Sequence, residues 1–140
     1  MRQILLFAAL AASLALLSGC TLSKTKADKA EDMTDKAAYQ KISAEEAYEM
    51  MASQEVVVVD VRTREEYDGG HIENAVLVPN ESIGGEMPEA LPDREATLLI
   101  YCRSGRRSKD AAQKLLALGY QSVYDFGGVI DWPYELVKEG

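Results

Sequence analysis

The pattern of apolar and polar positions divides the chain into three parts. Residues 4–17 are almost wholly apolar, 22–38 are polar and charged with no sustained apolar stripe, and beyond them short apolar runs alternate with helix-like segments. In the last part, Ser43 followed by Glu46 forms a capping-box pattern, and Ala47, Met50 and Met51 give that helix a narrow apolar face. Four consecutive valines within 55–61 read as a strand covered on both faces, hence part of a parallel sheet flanked by helices, with Asp60 at its carboxyl end. Residues 75–78, 97–101 and 122–124 supply three more short strands, and 40–42 an edge strand. Gly84-Gly85 with Pro88 and Pro92 marks a mobile connection, and Gly119-Tyr120 closes the helical pattern that runs from Asp110 to Leu118. Strands alternating with helices predict an α/β fold, in which ligands bind beyond the carboxyl ends of the strands.

Composition narrows the picture. With 140 residues, 47% of them hydrophobic, the chain has material for one core and one domain with extensions. A net charge of -8 argues against nucleic acid, whose binders need a basic face. Met1-Arg2-Gln3, the apolar run after it and Leu17-Ser18-Gly19-Cys20 read as a secretory signal too short to span a bilayer. Its end resembles a bacterial lipobox, which implies lipidation of Cys20. The layout is then a signal peptide over 1–19, a polar tether over 20–38 and a domain over 39–140. About 18 flexible residues reach roughly 25 Å, enough to lift the domain off a membrane. The expected location is the cell envelope, facing the periplasm or the outside. In a Gram-negative host, Thr21 in place of Asp leaves the outer membrane as a destination.

The candidate chemistry lies in residues 101–108, Tyr-Cys-Arg-Ser-Gly-Arg-Arg-Ser, between the apolar run 98–100 and a helix. A cysteine at a strand end, followed by a small-residue turn and a helix start, meets converging backbone N–H groups and the positive end of a helix dipole. That field favours thiolate over thiol, so Cys102 reads as a nucleophile. With Cys20 assigned to lipid, Cys102 is the second of two cysteines and has no partner in the chain, which disfavours a dithiol reaction. Arg103, Arg106, Arg107 and Lys109 make a positive island at a helix start, where cations are otherwise disfavoured; the plainer alternative is a solvated basic surface.

The loop resembles the CxxGxRS active-site loop of the single-domain rhodanese family of sulfurtransferases. Two further blocks agree in order: 58–62 (Val-Val-Asp-Val-Arg) continuing through Glu65-Glu66-Tyr67 to Gly70-His71-Ile72, and Gly127-Gly128 with Trp132. The resemblance implies a rhodanese-like α/β fold, a mainly parallel sheet of about five strands with helices on both faces. It implies that sulfane sulfur moves from thiosulfate or a similar anion, through a Cys102 persulfide, to a thiol, cyanide or protein-thiol acceptor, without metal or cofactor. Arg103, Ser104, Gly105, Arg106, Arg107 and Ser108 would bind the donor anion, with Arg103 and Arg107 able to grip sulfonate oxygens, point outward or pair with a carboxylate. Asp60, Arg62 and His71 would be structural support, the first two bracing the loop or pairing with each other. Trp132 reads as core, and Gly127-Gly128 as a turn near the loop. A monomer is expected.

Two rivals remain. Cysteine phosphatases related to this fold use Cys-x5-Arg; here Arg107 comes one residue early and Ser108 takes that position, which leaves a loop better fitted to sulfur than to phosphate. Non-catalytic rhodanese-like binding modules tend to lack the cysteine, which this chain retains.

Overall fold

A computed structural model describes residues 39–138; the expected signal peptide, Cys20 and the tether lie outside the described residues. Five parallel strands form one sheet in the order β1-β5-β4-β2-β3, where β1 is Gln40–Lys41, β2 Val57–Asp60, β3 Val76–Leu77, β4 Thr97–Cys102 and β5 Ser122–Gly128. Three helices alternate with them: α1 (Ala44–Ser53), α2 (Arg64–Asp68) and α3 (Arg106–Ala117). The α/β architecture read from the sequence is the one observed.

The helix starts follow local chemistry. Ser43 and Thr63 each close a reciprocal capping box, with Glu46 and Glu66 respectively. At its other end α3 stops in a Schellman turn, with Gly119 N–H donating to Leu116 O and Tyr120 N–H to Leu115 O.

Period-two alternation along β4 sorts side chains to two cores. Leu98, Ile100 and Cys102 face one side with Ala111, Ala112 and Leu115 of α3. Leu99 and Tyr101 face the other, with Ala47 of α1, Tyr67 of α2, Phe126 and Trp132. The run 55–61 yields a strand only over Val57–Asp60, while the last strand extends past 124 to Gly128 and crosses a register shift at Ile100/Tyr101. Gly127 and Gly128 are therefore strand residues opposite Tyr101 and Cys102, near the loop as expected but not a turn. The connection between Ser82 and Thr97, expected to be mobile, is pinned by buried Ile83 and Leu91, and Tyr120 Oη donates to Leu91 O.

Candidate active site

β4 ends at Cys102 in the middle of the sheet, and the chain turns at once into α3 through Arg103, Ser104 and Gly105. Gly105 is the N-cap of α3, with φ 95, a left-handed conformation that suits a residue without Cβ. Among the described residues no side chain caps this helix, so its first N–H groups are not drawn off into a cap. Gly105 N–H instead donates to Cys102 Sγ at 3.0 Å, and Ser108 Oγ lies 3.7 Å from the same sulfur. Ser108 is fully buried, and its hydroxyl also reaches the carbonyls of Gly105 (3.1 Å) and Gly127 (3.4 Å).

Cys102 is 1% exposed. Burial pushes its thiol pKa up, but the backbone N–H and hydroxyl of Ser108, with the N–H groups of Gly105 and Ser104, outweigh it and hold the pKa below the ordinary thiol value. The sulfur is enclosed: its shell on the loop side is polar, while the rest of its environment is core.

β5 supplies the back wall of the loop. A Cβ at Gly128 would lie 2.3 Å from Arg103 O and 2.6 Å from Ser104 Cα, so the loop seats directly on bare backbone. Ile130 N–H donates to Arg103 O at 3.2 Å and fastens the loop from the same side. Within β5, fully buried Asp125 accepts from Gly127 N–H (2.8 Å) and Tyr39 Oη (2.7 Å) and pairs with Lys41 at 3.4 Å. The sequence reading missed this Asp125 network; an acidic residue in an apolar strand, two positions before Gly127-Gly128, was its only signal.

The arginines of the loop divide. Arg107 makes a two-pronged ion pair with Glu66, Nη1 to Oε2 at 2.7 Å and Nη2 to Oε1 at 2.9 Å. Hydrogen bonding to Arg107 holds the Glu66 carboxyl at about 2. Of the roles open to Arg107, the carboxylate pair is the one seen, and Glu66 also caps α2, so one carboxylate joins the two helix starts. Arg103, Ser104 and Arg106 are exposed around the loop, and neither arginine forms an ion pair among the described residues.

Asp60 and Arg62 pair with each other in the interior, Nη2 to Oδ2 at 2.6 Å, and do not brace the loop directly. Arg62 Nη2 also donates to Gly70 O at 2.8 Å, and Tyr101 Oη donates to Asp60 at 2.6 Å while accepting from Ile72 N–H. Burial pushes the Tyr101 phenol up, which keeps it a donor. The bonds of this network hold 70–72 against the strand ends. His71 is buried, stacks on Tyr67 at 3.7 Å and donates from Nδ1 to Tyr67 O at 2.9 Å. Its backbone also bridges to Val137.

Residues 43–133 match the rhodanese-like domain family. The chain belongs to that family. Among solved structures, a rhodanese with anions from E. coli is 32% identical, with TM-score 0.55, covering 61% of this chain and 100% of that one. A human single-domain sulfurtransferase is 28% identical, with TM-score 0.58, covering 66% of this chain and 93% of that one. Among curated proteins, the tRNA uridine(34) hydroxylase of Hamiltonella defensa is 34% identical over 113 residues, 76% of this chain. The chain spans only about a third of that relative's length, 32%. A rhodanese-like domain related to sulfurtransferases thus carries a buried cysteine under a ring of amides.

Proposed function

We propose that the protein is a thiosulfate-type sulfurtransferase working through Cys102. The single observation that carries this reading is the Cys102 sulfur held by Gly105 N–H at 3.0 Å, with its pKa below the ordinary thiol value in spite of burial. The thiolate attacks the outer sulfur of thiosulfate. The bond between that sulfur and the sulfonate sulfur breaks, sulfite leaves with the electron pair, and Cys102 carries a persulfide. An acceptor nucleophile then attacks the outer sulfur, and the thiolate departs.

The chain's own groups serve both halves. Loop N–H groups stabilise negative charge on the sulfur, and Arg103 and Arg106 attract the incoming anion. Because the second sulfur needs room about 2.05 Å beyond the first, the enclosing loop yields when the enzyme is loaded. Since the thiolate is the reactive form and its pKa lies low, transfer falls off only as pH drops below the ordinary thiol range.

The full protein is proposed to hang from the envelope membrane by a lipid on Cys20, through the tether 20–38. The tRNA hydroxylation named for the curated relative is not proposed: the match covers 32% of that protein, and a net charge of -8 does not suit an RNA partner.

Mass spectrometry after thiosulfate treatment tests the reading. One added sulfur on Cys102, lost with cyanide, is expected, and Cys102→Ser is expected to reduce sulfite release to background with an unchanged circular dichroism spectrum. An unmodified Cys102, or a Ser variant with wild-type turnover, overturns it. A phosphate ester serves as the control substrate and should not be cleaved.

A further inference from the structure

Away from the loop, a cavity of about 730 Å³ opens between α1, the start of β2, residues 72–74 and the segment 132–135. None of residues 102–108 lines it. Its wall is aromatic: Tyr48 and Tyr134 stack with centroids 3.8 Å apart, and Trp132 meets them edge-on at 6.2 Å and 5.0 Å. Tyr48 is 45% exposed and Tyr134 36%, so two large rings stand in water beside the opening. The charged residues of the lining are Glu73 and Glu135; neither is ion-paired among the described residues, and no lysine or arginine lines the cavity. Trp132 itself is nine-tenths buried, and its Nε1 is buried without a hydrogen-bond acceptor among the described residues.

These features ask for the same kind of occupant. Aromatic faces attract cations through their quadrupole, most strongly where water is partly excluded. Two uncompensated carboxylates repel anions and favour the same charge. A buried indole N–H without an acceptor is a rare and costly feature that a carbonyl would relieve. The volume is that of a small-ligand site.

We propose that this cavity binds a basic peptide segment. A lysine or arginine side chain lies against Tyr48 and Tyr134 between Glu73 and Glu135, and a peptide carbonyl accepts from Trp132 Nε1 as the exposed tyrosine rings shift to admit it. Tyr134 and Glu135 fall beyond residues 43–133 that match the family, so half of the acidic, aromatic rim belongs to this chain's own C-terminal segment. The proposal does not depend on the sulfur chemistry.

Trp132 is the only tryptophan in the chain, which makes its emission and its indole N–H resonance direct reporters. The full chain is titrated with acetylated, amidated Gly-Arg-Gly-Lys-Gly and with the counterparts carrying Glu or Gln at both basic positions. The basic peptide is expected to give a saturable change in emission and a shift of the indole resonance, with affinity at least about tenfold above either counterpart. The double variant Glu73→Gln, Glu135→Gln should weaken it by about fivefold or more while sulfite release from thiosulfate, if present in the wild type, is unchanged. Equal binding of the Glu or Gln peptide, no saturable change at millimolar basic peptide, or full affinity in the double variant overturns the proposal.

Discussion

The carboxyl ends of two neighbouring strands, β2 and β4, carry charge in opposite ways. At the end of β2, Asp60 and Arg62 are buried and satisfy each other, with Gly70 O and Tyr101 Oη taking up what remains. At the end of β4, Gly105 N–H and Ser108 converge on one sulfur, while Arg103 and Arg106 stand exposed with no ion pair among the described residues. A closed network has nothing left to offer a substrate. An open one stores donors for charge that has yet to arrive. Position in an α/β crevice thus does not separate scaffold from chemistry; the state of the hydrogen-bond account does.

The largest expected effect breaks the closed side. Asp60→Ala strands the Arg62 charge in the interior and should cost about 3–5 kcal/mol of stability, measured by urea unfolding. If the comparison holds, the Cys102 thiol pKa, read from the pH dependence of alkylation on protein still folded, stays below that of free cysteine. Gly128→Ala should cost less stability, about 1–3 kcal/mol, but must displace Arg103 and Ser104. Its thiol pKa should therefore rise toward the ordinary value and sulfur transfer should fall by about tenfold or more. A Gly128→Ala protein with wild-type thiol pKa would show that the loop does not depend on its seat.

Glu66→Gln sits between the two sides, because Glu66 ties the open loop to α2. The loss should be about 1 kcal/mol at neutral pH, partial exposure of the pair keeping it modest. The sign follows from a carboxyl depressed from 4.5 to about 2: its contribution is present above 4.5 and is lost as pH falls toward 2. Wild type and variant should therefore converge in stability across that window, and a gap that persists at pH 2 would refute the ion pair as its source. The smallest effect is that of Arg103→Ala, expected to raise KM for thiosulfate about fivefold with little change in kcat, as a single exposed charge allows.

Much of this was legible in the chain. Four valines in a row dictated a doubly covered strand, the Ser43–Glu46 capping box marked the start of α1, and a cysteine followed by Arg-Ser-Gly placed a sulfur at a helix N-terminus; the second capping box, Thr63 with Glu66, went unread. What escaped was long-range. Arg107 and Glu66 are 41 residues apart, and they meet because the helices that carry them start beyond the carboxyl ends of neighbouring strands, β4 and β2. Gly127-Gly128 looked like a turn because glycine weakens strands; it is tolerated here because the loop would collide with any side chain at 128. The cavity beside Trp132 was illegible for the same reason, since its walls come from three separate stretches of chain.

The strand that presents Cys102 has hydrogen-bonded neighbours on both sides, β2 and β5. Its amides should exchange with deuterium only through global unfolding, whereas those of 103–106 should exchange through local opening. On the proposed reading the nucleophile is then a fixed post, and loading and unloading of sulfur would be timed by the few residues that fold over it.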